Sequence, residues 1–125
     1  PYAARAQLLA AQTSQQAGDA ARAKARLWWV IEHADEHGLQ HVARLKLAAM
    51  LLDEKQYDDA LKHLGTAHPA AYDSVYADLK GDVLSAMGKT EEARAAYKLA
   101  LEKSDAQAAQ RNLIQLKLDG LGNAK

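Results

Sequence analysis

One pattern of small residues recurs three times along this chain and leaves little choice of architecture. Ala11, Ala48 and Gly81 take one place in it, Ala23, Ala60 and Ala93 a second place twelve residues on, and Leu27, Leu64 and Tyr97 a third four residues later. The units are offset by 37 residues and then by 33. Gly18 and Gly88 stand seven residues after the first place, where a helix must turn back tightly, and Lys55 holds that position in the middle unit. Two antiparallel helices approach closely only where one presents Ala or Gly, and the large residue four positions on fills the adjoining space. Each unit therefore reads as a helix, a tight turn and a second helix. A lone hairpin cannot bury its apolar face, so the pattern predicts a stack of hairpins with a covered end.

Composition agrees. Hydrophobic residues make up 49% of the 125, with Ala and Leu dominant and Val, Ile and Thr scarce, which favours helix over sheet throughout. Sixteen basic residues balance sixteen acidic ones, so no basic face suited to a nucleic-acid backbone is expected. Cysteine is absent, removing disulfides and thiolate metal sites. The longest apolar run, Leu27 to Ile31, is far short of the ~20 residues of a bilayer span. The start at Pro1, without initiator Met or signal-like core, reads as an excised domain or a processed form.

The expected fold is all-α: one domain over residues 1–119, with hairpins at about 2–37, 39–68 and 69–103, a capping helix at about 105–118 and a flexible tail at 120–125. Asp19 offers an N-cap to the second helix, and Asp58, Asp59, Glu91 and Glu92 favour the positive ends of the fourth and sixth. Ser104 and Gln107 form a capping signature for the seventh helix. Its residues Ala106, Ala109, Leu113 and Leu116 are expected to cover the stack, with Arg111, Gln115 and Lys117 pointing elsewhere.

The third unit, with Ala77, Gly81, Leu84, Gly88, Ala93, Tyr97, Ala100 and Leu101, resembles the tetratricopeptide repeat, a helical hairpin of ~34 residues. It departs from that pattern at Lys80, where a large apolar residue is usual, and at Asp105, where Pro is common. The second unit keeps Leu47, Ala48, Leu51, Tyr57, Ala60, Leu64 and Ala67, and the first keeps Ala11, Gly18, Ala23 and Leu27. A narrower resemblance covers about residues 40–119. The runs VARLKLAAMLLDEKQYDDALKHL and YADLKGDVLSAMGKTEEARAAYKLAL, followed by NLIQLKL, are similar to the YfgM-like family, the ancillary subunit of the bacterial SecYEG translocon. The resemblance implies a right-handed superhelix and a non-enzymatic protein-interaction scaffold on the periplasmic side of the inner membrane. The implied partners are the SecYEG translocon, periplasmic chaperones and secreted clients. Any membrane attachment would run through an N-terminal anchor absent from this chain. The alternative is a soluble tetratricopeptide adaptor or regulator without a membrane link.

In such a stack the concave groove is lined by the first helix of each hairpin. That pattern places Leu8 and Gln12 in the first unit, Val42, Leu45, Ala49 and Leu52 in the second, and Asp78 and Asp82 in the third, giving an apolar middle and one acidic end. A solvent-facing apolar stripe points to a bound segment, although Leu45 and Leu52 could instead pack on a neighbouring helix. Arg22, Arg26 and Trp29 share a helix face and form a second candidate contact on the convex side, in residue types enriched at interface hot spots. Consecutive Trp28 and Trp29 lie about 100° apart on a helix, so at least one is expected to be partly exposed. His33, His37 and His41 have metal-ligand spacing only if one helix runs through Gly38, and no metal site is expected. There is no glycine-rich phosphate loop, no H-E-x-x-H and no nucleophile elbow, so no enzyme and no cofactor is expected.

Overall fold

The computed structural model describes residues 2–105 and 108–121, apart from the side chain of residue 37. They form seven α-helices and no strand: α1 Tyr2–Gln16, α2 Ala20–His33, α3 His37–Asp53, α4 Tyr57–Leu64, α5 Asp73–Ala86, α6 Thr90–Lys103 and α7 Gln110–Gly120. A short 3₁₀ turn, Ala70–Tyr72, leads into α5. Two compact units divide the chain, Pro1–His63 and Leu64–Lys125.

The three turns within the hairpins share one geometry. Gly18, Lys55 and Gly88 adopt φ of 82°, 61° and 79°, the left-handed conformation that an L side chain adopts only at a cost. In each turn the N–H of that residue bonds back to the carbonyl three residues earlier, on Gln15, Leu52 and Ser85, at 3.0–3.1 Å. The next N–H, on Asp19, Gln56 and Lys89, reaches the carbonyl of Ser14, Leu51 and Leu84 at 2.8–2.9 Å, which is the Schellman closure of a helix C-terminus. The same three residues then open the following helix, their carbonyls accepting from Ala23, Ala60 and Ala93. The sequence offsets of 37 and 33 thus correspond to one repeated backbone device. Asp19 also acts as the expected N-cap, its Oδ1 accepting from Arg22 N at 3.1 Å.

In the first unit α1 packs on α2 and α2 on α3. The small residues of the repeat are where these helices close up: Ala11 is 3% exposed and Ala23 and Ala48 are fully buried, as is Ala60 on α4. Leu27, Val30, Leu47 and Met50 fill the space beside them. In the second unit α5 packs on α6 and α6 on α7. Its core is Tyr76, Ala77, Val83, Leu84, Ala93, Tyr97 and Ala100, with Ile114 supplied by α7.

The seventh helix differs from its expectation in start, cap and face. It begins at Gln110, not near Asp105. Ser104 ends α6 instead of opening α7: its Oγ donates to the Leu101 carbonyl at 2.9 Å and accepts from Arg111 Nη1 at 2.6 Å. Gln107 and Ala106 lie outside the described residues, as do 122–125 of the expected tail. Leu113 and Leu116 are 54% and 67% exposed, while Ile114 is 1% exposed. Ile114, not the Leu pair, faces the unit, because Arg111 and Lys117 are drawn inward by polar partners. Arg111 Nη1 donates to the Leu101 carbonyl at 2.7 Å, and Lys117 reaches two carboxylates on α5.

Candidate protein-interaction surfaces

Val42, Leu45, Ala49 and Leu52 follow helical spacing and share one face of α3. The residues between them, Ala43, Leu47, Ala48 and Leu51, are buried, so α3 spends its other side on the core. The shared face stays in reach of solvent: Val42 is 36% exposed, and Leu45, Ala49 and Leu52 are half-buried. On α1, Leu8 is half-buried and Gln12 exposed. The start of α1 is tied to the residue preceding α3 by Arg5 and Glu36 at 3.3 Å.

The acidic pair of the second unit is not a free rim. Asp78 and Asp82 stand one turn apart on α5, and Lys117 Nζ lies 3.0 Å from Asp78 Oδ1 and 3.0 Å from Asp82 Oδ1. Tyr97 donates its hydroxyl to the same Asp82 Oδ1 at 2.6 Å, and the ammonium stands 5.8 Å from the Tyr97 ring centroid. Burial raises the pKa of Asp78 above the usual carboxylate range, with Lys117 opposing that shift. Burial, then the Asp82 hydrogen bond and charge, push the Tyr97 hydroxyl well up. Two carboxylates against one ammonium leave one negative charge here, and the network fastens α7 to α5 and α6.

The three residues of the convex candidate fall in two places. Arg22 pairs with Asp19 at 3.6 Å, and Arg26 donates to Gln7 Oε1 at 3.0 Å, both beside the Leu9 and Thr13 side of α1. Trp29 instead stacks on His33, ring centroids 4.5 Å apart, and lines a small hollow with Ala3, Ala4 and Leu39. The more exposed indole is Trp28, at 43%. Its ring meets His63 edge-on at 5.1 Å in a cleft of about 550 Å³ between α2, α3 and α4, which sequence reasoning missed. The spacings Lys24/Trp28 and Asp59/His63 were its only sequence trace.

The second unit has a cleft of about 530 Å³ along α5 and α6, where His68 stacks on Tyr76 at 3.9 Å and sets Nε2 3.0 Å from Asp73 Oδ1. Of the three histidines at metal-ligand spacing, His33 places Nδ1 2.9 Å from the Trp29 carbonyl and His41 is buried in α3. The side chain of His37 lies outside the described residues. Among those described, no three His, Asp or Glu side chains gather to hold a metal ion. Three further carboxylates meet cations: Glu54 with Lys24 at 2.6 Å, Glu91 with Arg94 at 3.0 Å and Glu92 with Lys89 at 3.9 Å.

Helical hairpins closed by one repeated turn, with Ala or Gly at each close approach, define a class of repeat protein built for contact with other proteins. The chain belongs to the tetratricopeptide repeat-like domain family, whose model matches residues 1–123. It is similar to the ancillary SecYEG translocon subunit of Neisseria gonorrhoeae strain FA 1090, 38% identical over 119 residues, which is 95% of this chain and 57% of that protein. It is also similar to the ancillary SecYEG translocon subunit of Escherichia coli K12, 32% identical over 120 residues, 96% of this chain and 58% of that protein. The chain thus spans less than three fifths of the length of these curated relatives. The likeness nonetheless takes in the first hairpin, beyond the residues 40–119 that carry the resemblance in sequence. No solved structure matches the chain. Among the described residues, no helix is long and apolar enough to cross a membrane.

Proposed function

We propose that this domain is a non-enzymatic scaffold that holds protein partners through the solvent-accessible face of α3, the middle of the expected groove. The observation that carries the reading is the stripe Val42, Leu45, Ala49 and Leu52: four apolar positions on one helix face that keep solvent access while the opposite face of α3 is buried. An apolar stripe of this kind suits the side chains of a docked peptide or helix. Leu8 and Gln12 of α1 extend the surface with one apolar and one amide contact. Asp78 and Asp82, with one negative charge left after Lys117 is counted, act in this reading as a charge that tunes association.

The names of the two relatives support a place beside the SecYEG translocon. In this proposal the domain works on the periplasmic side of the inner membrane and passes secreted chains to periplasmic chaperones. The test is co-purification of SecYEG from detergent-solubilised membranes. Leu45→Ser with Leu52→Ser is expected to lower recovered SecYEG at least tenfold while far-UV circular dichroism stays unchanged. Full recovery with the double variant would remove the α3 face from the proposal, and recovery of cytosolic proteins alone by the parent would favour an adaptor without a membrane link.

A further inference from the structure

The cleft around Trp28 has the makings of a second binding site, independent of the α3 face. Its floor is apolar, built from Leu47 and Leu51, and its wall is the exposed indole of Trp28. The volume of about 550 Å³ falls in the ~300–1,000 Å³ range of ligand pockets. Every residue lining it comes from the first unit.

The charges around the floor are unevenly matched. Lys24 is neutralised by Glu54 at 2.6 Å. Lys62 and Arg44 face one carboxylate, Asp59, which leaves one positive charge in the lining. Arg44 is the unusual member, a half-buried guanidinium set against a histidine ring: Nη1 stands 3.0 Å from His63 Nδ1. A guanidinium can only donate, so His63 Nδ1 accepts and its proton sits on Nε2. Burial, and after it Arg44, hold His63 below its ordinary pKa, in keeping with a neutral ring. Arg44 therefore forms no ion pair among the described residues, and its remaining N–H groups can still take the forked bonds of a carboxylate.

We propose that this cleft binds an acidic linear peptide segment of a partner protein, with a Glu or Asp carboxylate on Arg44 and a neighbouring apolar side chain on Trp28 above Leu47 and Leu51. Charge complementarity selects the carboxylate, and the indole over an apolar floor selects its neighbour. A side-chain carboxylate fits better than a chain terminus, because the cleft offers one unpaired guanidinium and lacks an array of Lys and Asn donors to clamp a terminal group.

The test titrates the ¹⁵N-labelled chain with the blocked peptide acetyl-Leu-Glu-Phe-Glu-Leu-amide, with its Glu→Gln analogue and with inorganic phosphate. The Glu peptide is expected to shift the Trp28 indole N–H and Arg44 side-chain resonances and to bind at least tenfold more tightly than the Gln analogue. Arg44→Gln should erase that difference between the two peptides. Trp28→Ala, at an exposed position, should weaken both peptides alike, and it keeps the proposal testable if Arg44→Gln fails to fold. Leu45→Ser with Leu52→Ser should leave the titration unchanged, which separates this site from the α3 face. Equal affinity for the two peptides, no shift at Trp28, shifts confined to the α3 face, or phosphate matching the Glu peptide would each overturn the proposal.

Discussion

The first and third hairpins solve the same packing problem with different residues. In α1–α2 the close approach is made by Ala11, 3% exposed, and the large residue of the repeat is Leu27, 2% exposed. In α5–α6 the corresponding pair is Gly81 and Tyr97. A Cβ added at Gly81 would stand 2.5 Å from Tyr97 Cε1, so the ring occupies the space that a methyl group would need. The exchange keeps total volume nearly constant, and that is the condition under which a packed core tolerates substitution. It also gives the third hairpin something the first lacks: the Tyr97 hydroxyl reaches Asp82, and Asp82 with Asp78 holds Lys117 of α7. A change of one residue size on α5 thus accompanies a polar anchor for the terminal helix.

The anchor is sharpened most by removing the one buried side chain of α7. Ile114→Ala should cost about 2–5 kcal/mol in denaturant unfolding, as large-to-small core changes do. Leu113→Ser and Leu116→Ser should stay within about 0.5 kcal/mol, being exposed. The reverse ranking would restore the Leu face as the covering one.

The volume exchange breaks if Gly81→Ala is neutral. It should cost about 1–3 kcal/mol through overpacking against a ring whose hydroxyl is tethered, and adding Tyr97→Leu, the pairing of the first hairpin, should recover much of the loss. Ala93→Leu should cost a similar amount, since Ala93 is fully buried.

Alkaline pH probes the anchor itself. Burial works against the charge of Lys117, but its bonds to Asp78 and Asp82 outweigh that and leave its pKa above the ordinary 10.5. The Tyr97 hydroxyl is likewise raised above the ordinary 10.0, by burial and then by Asp82. Both groups hold protons more tightly in the folded state, so their contribution is complete below the unfolded values and is lost as pH rises beyond them. Thermal midpoints should therefore fall as pH rises beyond about 10, and fall less in Lys117→Met with Tyr97→Phe. An equal fall in the variant would detach the anchor from alkaline stability.

The smallest effect separates the turns. Lys55 keeps a φ of 61° that costs a side chain ~1–2 kcal/mol, part of which glycine returns as lost entropy. Lys55→Gly should therefore stabilise by less than about 1 kcal/mol, whereas Gly88→Lys should destabilise by a similar amount. A thermal melt in which Lys55→Gly is destabilising would contradict the shared turn.

The hairpins were legible in sequence because their demands are local. A positive φ seven residues beyond a small residue, and a second small residue five further on, are fixed by helix geometry alone, and even Lys55 is found by its position. The seventh helix was not legible in the same way. Leu113, Ile114 and Leu116 spread around the helix, and which arc is buried depends on Lys117 meeting carboxylates 39 and 35 residues away. The same holds for the acidic end: Asp78 and Asp82 read as rim charges until their partner is known. Trp28 met neither of its neighbours by spacing, since Arg44 and His63 come from other helices.

Whether the solvent-accessible face of α3 holds protein partners is read out by a photo-crosslinking residue at position 45 in the protein expressed from its native gene. Adducts with translocon subunits, secretory chains or periplasmic chaperones are expected, and they should be lost when Leu52 is replaced by Ser. Adducts with cytosolic proteins alone, or none at 45 beside a strong one at position 29, would contradict it.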